Sequence, residues 1–166
     1  MKLSDGAVVR EPADRWTVLD ASELYDVQSW GKGYFSVGAN GNVHVHPTKD
    51  SSRAIDLKDL IDTLVLRGIS LPILIRFAEI LKHRLGEVHE AFASAIAEHG
   101  YQGGYCCAYP IKVNQQRQVV EEVFQFGRPY KFGLEAGSKP ELLAVLARRE
   151  QAALAIFAAF REKQAR

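Results

Sequence analysis

Two short runs of alternating apolar and polar residues lie in the first third of the chain, at positions 34–37 and 43–46. The intervening residues 38–42 are rich in glycine and asparagine, which readily adopt the positive φ angles of tight turns. The pattern predicts a β-hairpin over residues 34–46. Residues 1–29 are polar and mixed, and we interpret them as a lead-in without assigned elements.

Helical spacing of apolar positions follows the hairpin. Asp56 is placed to cap a first helix that Gly68 closes as a left-handed residue, and a second helix is predicted from about Ala78 to Gly100. The stripe of the first helix is Leu57, Leu60, Ile61 and Leu64. The stripe of the second helix is Leu81, Leu85, Val88, Phe92 and Ile96.

Three apolar runs, at 72–75, 108–114 and 132–135, are too short for helices and predict buried strands. A helical pattern follows each run, and the last helix is predicted from the capping box Ser138–Glu141 through Ile156 and Phe160. Alternation of this kind is typical of right-handed βαβ units in a parallel sheet, either an open doubly wound sheet or a barrel of eight units. No glycine-rich phosphate fingerprint opens these helices, which weakens the nucleotide-binding alternative.

Composition narrows the class of protein. The chain has 166 residues, 47% hydrophobic and 25% charged, which is typical of a globular protein. The net charge of +1, with both signs interspersed, does not favour nucleic acid or an anionic membrane as a partner. The first 14 residues lack the apolar run of a signal peptide, so we expect a cytoplasmic protein. The adjacent pair Cys106 and Cys107 does not suit a disulfide framework.

Lys112 is the residue that most suggests chemistry, because it stands between Ile111 and Val113 in an apolar run. A lysine there either emerges at the strand end or points into an enclosed site. Burial would disfavour the ammonium form and free the amine to attack a carbonyl carbon, as in a Schiff-base lysine. By spacing alone, the emerging lysine is the more common case.

Three other side chains are weaker candidates. Glu135 ends a predicted strand, where barrel enzymes place functional groups, although it could equally be a solvent-facing carboxylate beside Lys139. His44 and His46 share one face of a predicted strand, but a structural zinc site needs four ligands and no others are evident nearby. We therefore predict no metal site from these residues.

Several collinear segments resemble the biosynthetic arginine decarboxylases. Residues 109–117, YPIKVNQQR, are similar to the segment of that family that carries the cofactor lysine. The resemblance covers roughly residues 20–147. Its further segments are 30–35 (WGKGYF), 71–77 (LPILIRF), 100–103 (GYQG), 119–130 and 132–143 (FGLEAGSKPELL).

The resemblance implies a fold and an activity. The family has an alanine-racemase-like (β/α)8 barrel followed by a β-rich domain, binds pyridoxal 5'-phosphate, and usually has magnesium as a second cofactor. It converts L-arginine to agmatine and carbon dioxide on the way to putrescine and spermidine, and the full-length enzyme is expected to be a homo-oligomer. Lys112 falls on the cofactor lysine, and Glu135 falls in the segment that closes in beside the cofactor.

The resemblance also predicts the domain organisation. Residues 1–55 would be a lead-in with the hairpin, 56–147 about the first three βα units of the barrel, and 148–166 a divergent helical tail. Because a barrel of this type takes about 250 residues, the chain would be a fragment that is inactive alone. Two alternatives remain open, a related barrel decarboxylase acting on diaminopimelate or ornithine, and a non-catalytic fragment. The 115–117 and 135–141 segments favour arginine.

Overall fold

The structure is a computed structural model that describes residues 16–147 and the backbone of residues 155–157. The chain divides into two compact units between Leu74 and Ile75. This division groups the first long helix with the hairpin, whereas the sequence interpretation places that helix at the start of the barrel.

The first unit contains the predicted hairpin. Strands β1 (Phe35–Val37) and β2 (Val43–Val45) pair antiparallel, with Phe35 opposite Val45, which confirms the hairpin. A third strand that the sequence did not predict, β3 (Ile55–Asp56), adds to the other side of β2. Pairing with β2, rather than any pattern of its own, makes this two-residue segment a strand.

The lead-in contributes two short helices, α1 (Val18–Leu24) and α2 (Val27–Gly31), which the sequence interpretation left unassigned. A reciprocal capping box between Thr17 and Asp20 begins α1. Val27 of α2 is buried, as are Tyr34 and Val45. The lead-in thus contributes to the core of the first unit.

Helix α3 (Leu57–Leu66) begins and ends as predicted. The Asp56 carboxylate accepts from the backbone N–H groups of Lys58 and Asp59, and Gly68 has a φ of 86°. The same carboxylate accepts from the side-chain amides of Asn40 (2.8 Å) and Asn42 (2.9 Å) in the hairpin turn. Asp56 therefore joins the turn of the hairpin to the start of the helix.

The side-chain amide of Asn42, followed by that of Asn40, lowers the pKa of Asp56 well below its usual range. Because the pKa is lower in the folded state, the carboxylate stabilises the unit above about pH 4 and loses that contribution as the pH falls through the folded pKa. We expect the first unit to lose stability in acid below about pH 4. Trp16 and Trp30 fluorescence during urea unfolding at several pH values would measure this. In an Asp56→Asn variant, this part of the pH dependence should disappear; an unchanged pH profile would contradict the assignment.

The second unit alternates helices and parallel strands. Its elements are α4 (Ala78–Glu98), β4 (Ala108–Pro110), α5 (Arg117–Gly127), β5 (Gly133–Ala136), α6 (Lys139–Leu146) and β6 (Ala155–Phe157). The strands form one parallel sheet in the order β4-β5-β6. This confirms the predicted parallel βαβ arrangement, with two complete strand–helix repeats and the strand of a third.

The core of the second unit lies between this sheet and its helices. Ile111, Leu134, Ala136 and Val145 form a buried cluster against which Val120 and Phe124 of α5 pack. Val123, on the same face of α5, is 1% exposed. The apolar positions of α5, which include Val119, Val120, Val123 and Phe124, therefore lie on the face that the helix buries.

The predicted strand at 72–75 is wrong. The structure has no regular element there, and Leu74 is 74% exposed. A strand is defined by its hydrogen-bonded neighbour, and within the described residues this segment has none. An apolar run therefore could not by itself predict a strand at this position.

The helical tail is corrected as well. Helix α6 ends at Leu146, and the backbone of residues 155–157 pairs with β5, placing Leu134 opposite Ala155 and Ala136 opposite Phe157. Alanine favours helices only by a fraction of a kcal/mol per residue, about 0.7 at most over ordinary residues, so pairing with a buried strand outweighs that preference. The rest of the predicted tail, 148–154 and 158–166, lies outside the described residues.

None of the helices in the described part of the chain is long and apolar enough to cross a membrane.

Candidate active site

Lys112 lies just beyond the end of β4, in a 3-10 turn (Ile111–Val113). Ile111 is 3% exposed and packs in the core, whereas Lys112 is exposed. Successive side chains in a 3-10 turn point about 120° apart, so the burial of Ile111 turns Lys112 outward. Of the two placements that the sequence left open for Lys112, the structure therefore has the one in which the lysine emerges at the strand end.

Glu135 lies on β5, the strand next to β4. In the parallel register it stands opposite Pro110, two residues before Lys112, and its side chain is half-buried. The carboxyl ends of parallel strands meet at one edge of a sheet, where α/β proteins commonly place functional groups. The two candidates that the sequence singled out therefore belong to the same edge.

A second carboxylate, Glu141, joins this edge at Gly137. The Gly137 N–H donates to Oε2 of Glu141 at 2.7 Å. A Cβ atom on Gly137 would lie 3.5 Å from Oε2 of Glu141 and 4.0 Å from Oε1 of Glu135. The carboxylates of Glu135 and Glu141 therefore both lie beside Gly137.

Sequence reasoning assigned Glu141 only to a capping box, and that box is half-formed. The Ser138 hydroxyl accepts from the Glu141 N–H at 3.4 Å, but the Glu141 carboxylate reaches Gly137 instead of the Ser138 N–H. The capping signal placed Glu141 at the start of α6. The capping signal could not show that the carboxylate of Glu141 turns toward the end of β5.

A pocket of about 550 Å³ lies beside this edge, between α5 and α6. Its walls include the apolar residues Ile111, Val120 and Val145. Its polar lining residues are Gln115, Arg117, Ser138 and Glu141. The volume suits a small molecule, since ligand pockets typically enclose about 300–1,000 Å³.

The remaining candidates lie elsewhere and have structural partners. His44 Nε2 is 3.3 Å from Oδ2 of Asp56, and His46 Nε2 is 2.7 Å from the Ser36 hydroxyl. Among the described residues, no three His, Cys, Asp or Glu side chains are grouped as metal ligands. Cys106 and Cys107 are free thiols, and the Cys106 thiol donates to the Lys131 carbonyl at 3.0 Å.

The parallel βαβ sheet makes this a mixed α/β protein, and the candidate residues Lys112, Glu135 and Glu141 belong to the carboxyl edge of that sheet. The chain is 52% identical over 133 residues to the biosynthetic arginine decarboxylase of Rhodopirellula baltica, and 49% identical over 132 residues to that of Thermosynechococcus vestitus. Each match covers 80% of this chain. Over that length, the chain is a homologue of the biosynthetic arginine decarboxylases.

A solved structure agrees with the sequence relatives. The chain is similar to the crystal structure of the biosynthetic arginine decarboxylase SpeA from Campylobacter jejuni, with a TM-score of 0.72, 32% identity and 83% of this chain covered. The chain spans about one fifth of the length of the curated relatives, 20% and 21% of the two named above, and 23% of the solved chain. No protein-family model matches the chain.

Proposed function

We propose that this chain is part of a pyridoxal-phosphate-dependent arginine decarboxylase, built on the first portion of a (β/α)8 barrel. The observation that carries the proposal is its identity of about 50% to proteins of that name over 80% of its length. The strand–helix order of the second unit supports the barrel. In the proposed reaction the bond between Cα and the carboxylate of L-arginine breaks, carbon dioxide leaves, and a proton replaces it to give agmatine.

The exposed side chain of Lys112 fits the proposed cofactor. Pyridoxal phosphate is bound in such enzymes through its aldehyde, which requires an accessible primary amine. Within the described residues, Lys112 forms no hydrogen bond or ion pair that would occupy its amine. When bound, the cofactor supplies an electron sink for the carboxylate-bearing carbon. Lys112 Nζ would hold it covalently.

Glu135 and Glu141 would provide the negative charge that attracts a cationic substrate to the site. Glu135 is half-buried and Glu141 is fixed by the Gly137 N–H, so both place negative charge at the carboxyl edge of the sheet. Negative charge at this edge attracts a cationic substrate such as arginine. We propose that Glu135 lies beside the bound cofactor and that Glu141 lies next to Glu135.

Other parts of the proposal rest on the resemblance alone. The resemblance implies that magnesium is a second cofactor and that the reaction belongs to the polyamine pathway that leads to putrescine and spermidine. It also implies a cytoplasmic location and a homo-oligomeric full-length enzyme. Inactivity of the chain by itself is also part of the proposal. It follows from the chain spanning only about one fifth of its relatives' length.

Three substrates tested side by side would distinguish the candidate functions. The purified chain is incubated with pyridoxal phosphate, its visible absorbance is recorded, and carbon dioxide release is measured on L-arginine, L-ornithine and diaminopimelate. We expect a protein-dependent absorbance change with no turnover. Turnover of ornithine or diaminopimelate in preference to arginine would contradict the proposal that arginine is the substrate. The absence of both signals would indicate a non-catalytic fragment.

A further inference from the structure

The turn of the hairpin contains the dipeptide Asn40-Gly41, and both residues are exposed. In spontaneous deamidation, the backbone nitrogen of the following residue attacks the asparagine side chain. A following glycine presents no Cβ atom and has the most flexible backbone, whereas a β-branched residue hinders the attack. Of the three asparagines in the chain, Asn40 alone precedes a glycine. The other two are Asn42, before Val43, and Asn114, before Gln115.

Hydrogen bonds hold both groups that would react. The side-chain Nδ2 of Asn40 donates to Oδ2 of Asp56 at 2.8 Å, and its Oδ1 accepts from the Asn42 N–H at 3.1 Å. The Gly41 N–H donates to the Gly38 carbonyl at 2.9 Å. A bond between the Gly41 nitrogen and Cγ of Asn40 therefore requires the turn to open and Asn40 to leave Asp56.

Asp56 restrains the turn from outside the hairpin, because its carboxylate is fixed at the start of α3. Oδ1 of Asp56 accepts from the Lys58 N–H at 2.9 Å and from the Asp59 N–H at 3.3 Å. Hydrogen bonds to an ionised acceptor stabilise more than those between neutral groups. The bond from Asn40 to this carboxylate thus opposes the opening that deamidation needs.

The product of deamidation could not restore this bond. A carboxylate at position 40 has no N–H to donate, and one of its oxygens would stand where the amide nitrogen now lies, 2.8 Å from Oδ2 of Asp56. Two carboxylates at such a distance disfavour each other's charged form. An attraction between the hairpin turn and α3 would therefore become a repulsion.

We propose that Asn40 is a deamidation site that Asp56 protects, and that its conversion irreversibly weakens the connection between the hairpin turn and α3. The Gly41 nitrogen forms a bond to Cγ of Asn40, and the side-chain nitrogen leaves as ammonia with the proton that the Gly41 nitrogen gives up. Water then opens the cyclic imide at either carbonyl, which yields aspartate or isoaspartate. The site uses none of the candidate active-site residues, so the proposal stands independently of the decarboxylase function.

Peptide mass spectrometry of the full chain, incubated in mildly alkaline buffer with and without urea, tests the site. We expect Asn40 to convert before Asn42 and Asn114, and to convert faster in urea, where the bonds of the turn are broken. Earlier conversion of Asn42 or Asn114, or equal rates for Asn40 with and without urea, would overturn the proposal.

Two variants of the same helix turn test the protection. Asp56→Ser keeps a residue that can cap α3, but its side chain is too short to hold Asn40, so we expect Asn40 to convert about tenfold faster in the absence of urea. Asp59→Ser removes an exposed carboxylate from the first turn of α3, and the rate at Asn40 should not change. Equal rates in the two variants would refute protection by Asp56.

A substitution that reproduces the product tests the consequence without any need for conversion. Asn40→Asp should lower the urea midpoint of the first unit, measured by the fluorescence of Trp16 and Trp30. Asn40→Ser loses the bond to Asp56 without adding charge, so its midpoint should fall less. A midpoint in Asn40→Asp equal to that of the unchanged chain would contradict the proposed weakening.

Discussion

Replacing Lys112 by arginine is expected to abolish covalent attachment of pyridoxal phosphate to this chain. The guanidinium group holds its proton more tightly than a lysine amine by about a hundredfold or more, so it cannot act as a nucleophile towards an aldehyde. The chain is incubated with pyridoxal phosphate and reduced with borohydride. Peptide mass spectrometry then locates the reduced adduct, which should fall by roughly a hundredfold on the peptide containing position 112.

Lys139→Arg is the matched control. Lys139 is also exposed and begins α6 in the same unit, so its replacement preserves charge as the first variant does. The adduct at Lys112 should survive this change. An adduct spread equally over the exposed lysines, or one unaffected by the change at 112, would show that Lys112 is not the cofactor lysine.

Replacing Gly127 by alanine is expected to destabilise the second unit by about 1–3 kcal/mol. A Cβ atom at Gly127 would lie 2.5 Å from Cβ and 2.9 Å from Cγ of Phe132, whose side chain is 6% exposed. Phe132 enters the strand β5 directly, so it cannot withdraw without moving that strand. The change therefore overpacks the joint between α5 and the sheet.

Gly104→Ala provides the control, because a Cβ atom there would meet nothing within 4 Å. Both tryptophans, Trp16 and Trp30, lie in the first unit, so their fluorescence does not report on this change directly. Amide hydrogen exchange over residues 117–136 is the better measurement. We expect faster exchange in Gly127→Ala and unchanged exchange in Gly104→Ala; equal exchange in both variants would rule out the packing explanation.

The sequence pattern correctly predicted those helices and strands that are stabilised by residues close to one another in the sequence. The hairpin over β1 and β2 follows from alternation around a glycine- and asparagine-rich turn. Helix α3 follows from Asp56, an apolar stripe and Gly68, all within 13 residues of one another. The buried face of α5 follows from the spacing of Val119 and Val123. Each of these depends on interactions within a few residues, which a sequence pattern can represent.

The predictions of secondary structure were wrong where a strand depends on pairing with a segment that is distant in the sequence. The run at 72–75 is apolar enough for a strand but has no neighbour to pair with in the described chain. Residues 155–157 lie in an alanine-rich stretch for which the sequence predicts a helix, yet they pair with β5 as a strand. Strand formation is decided by inter-strand pairing, and that information is not present in the segment itself.

By itself, the sequence determined the parallel βαβ class of the second unit and the caps of α3, and it singled out Lys112 and Glu135 as candidate site residues. Only the tertiary structure decided that Lys112 emerges exposed after β4, because Ile111 occupies the core and the 3-10 turn directs the next side chain outward. It also placed the Glu141 carboxylate beside Glu135, because the Gly137 N–H draws it away from the cap. Residue type and spacing can nominate a chemical group, but its exposure and partners follow from packing across the fold.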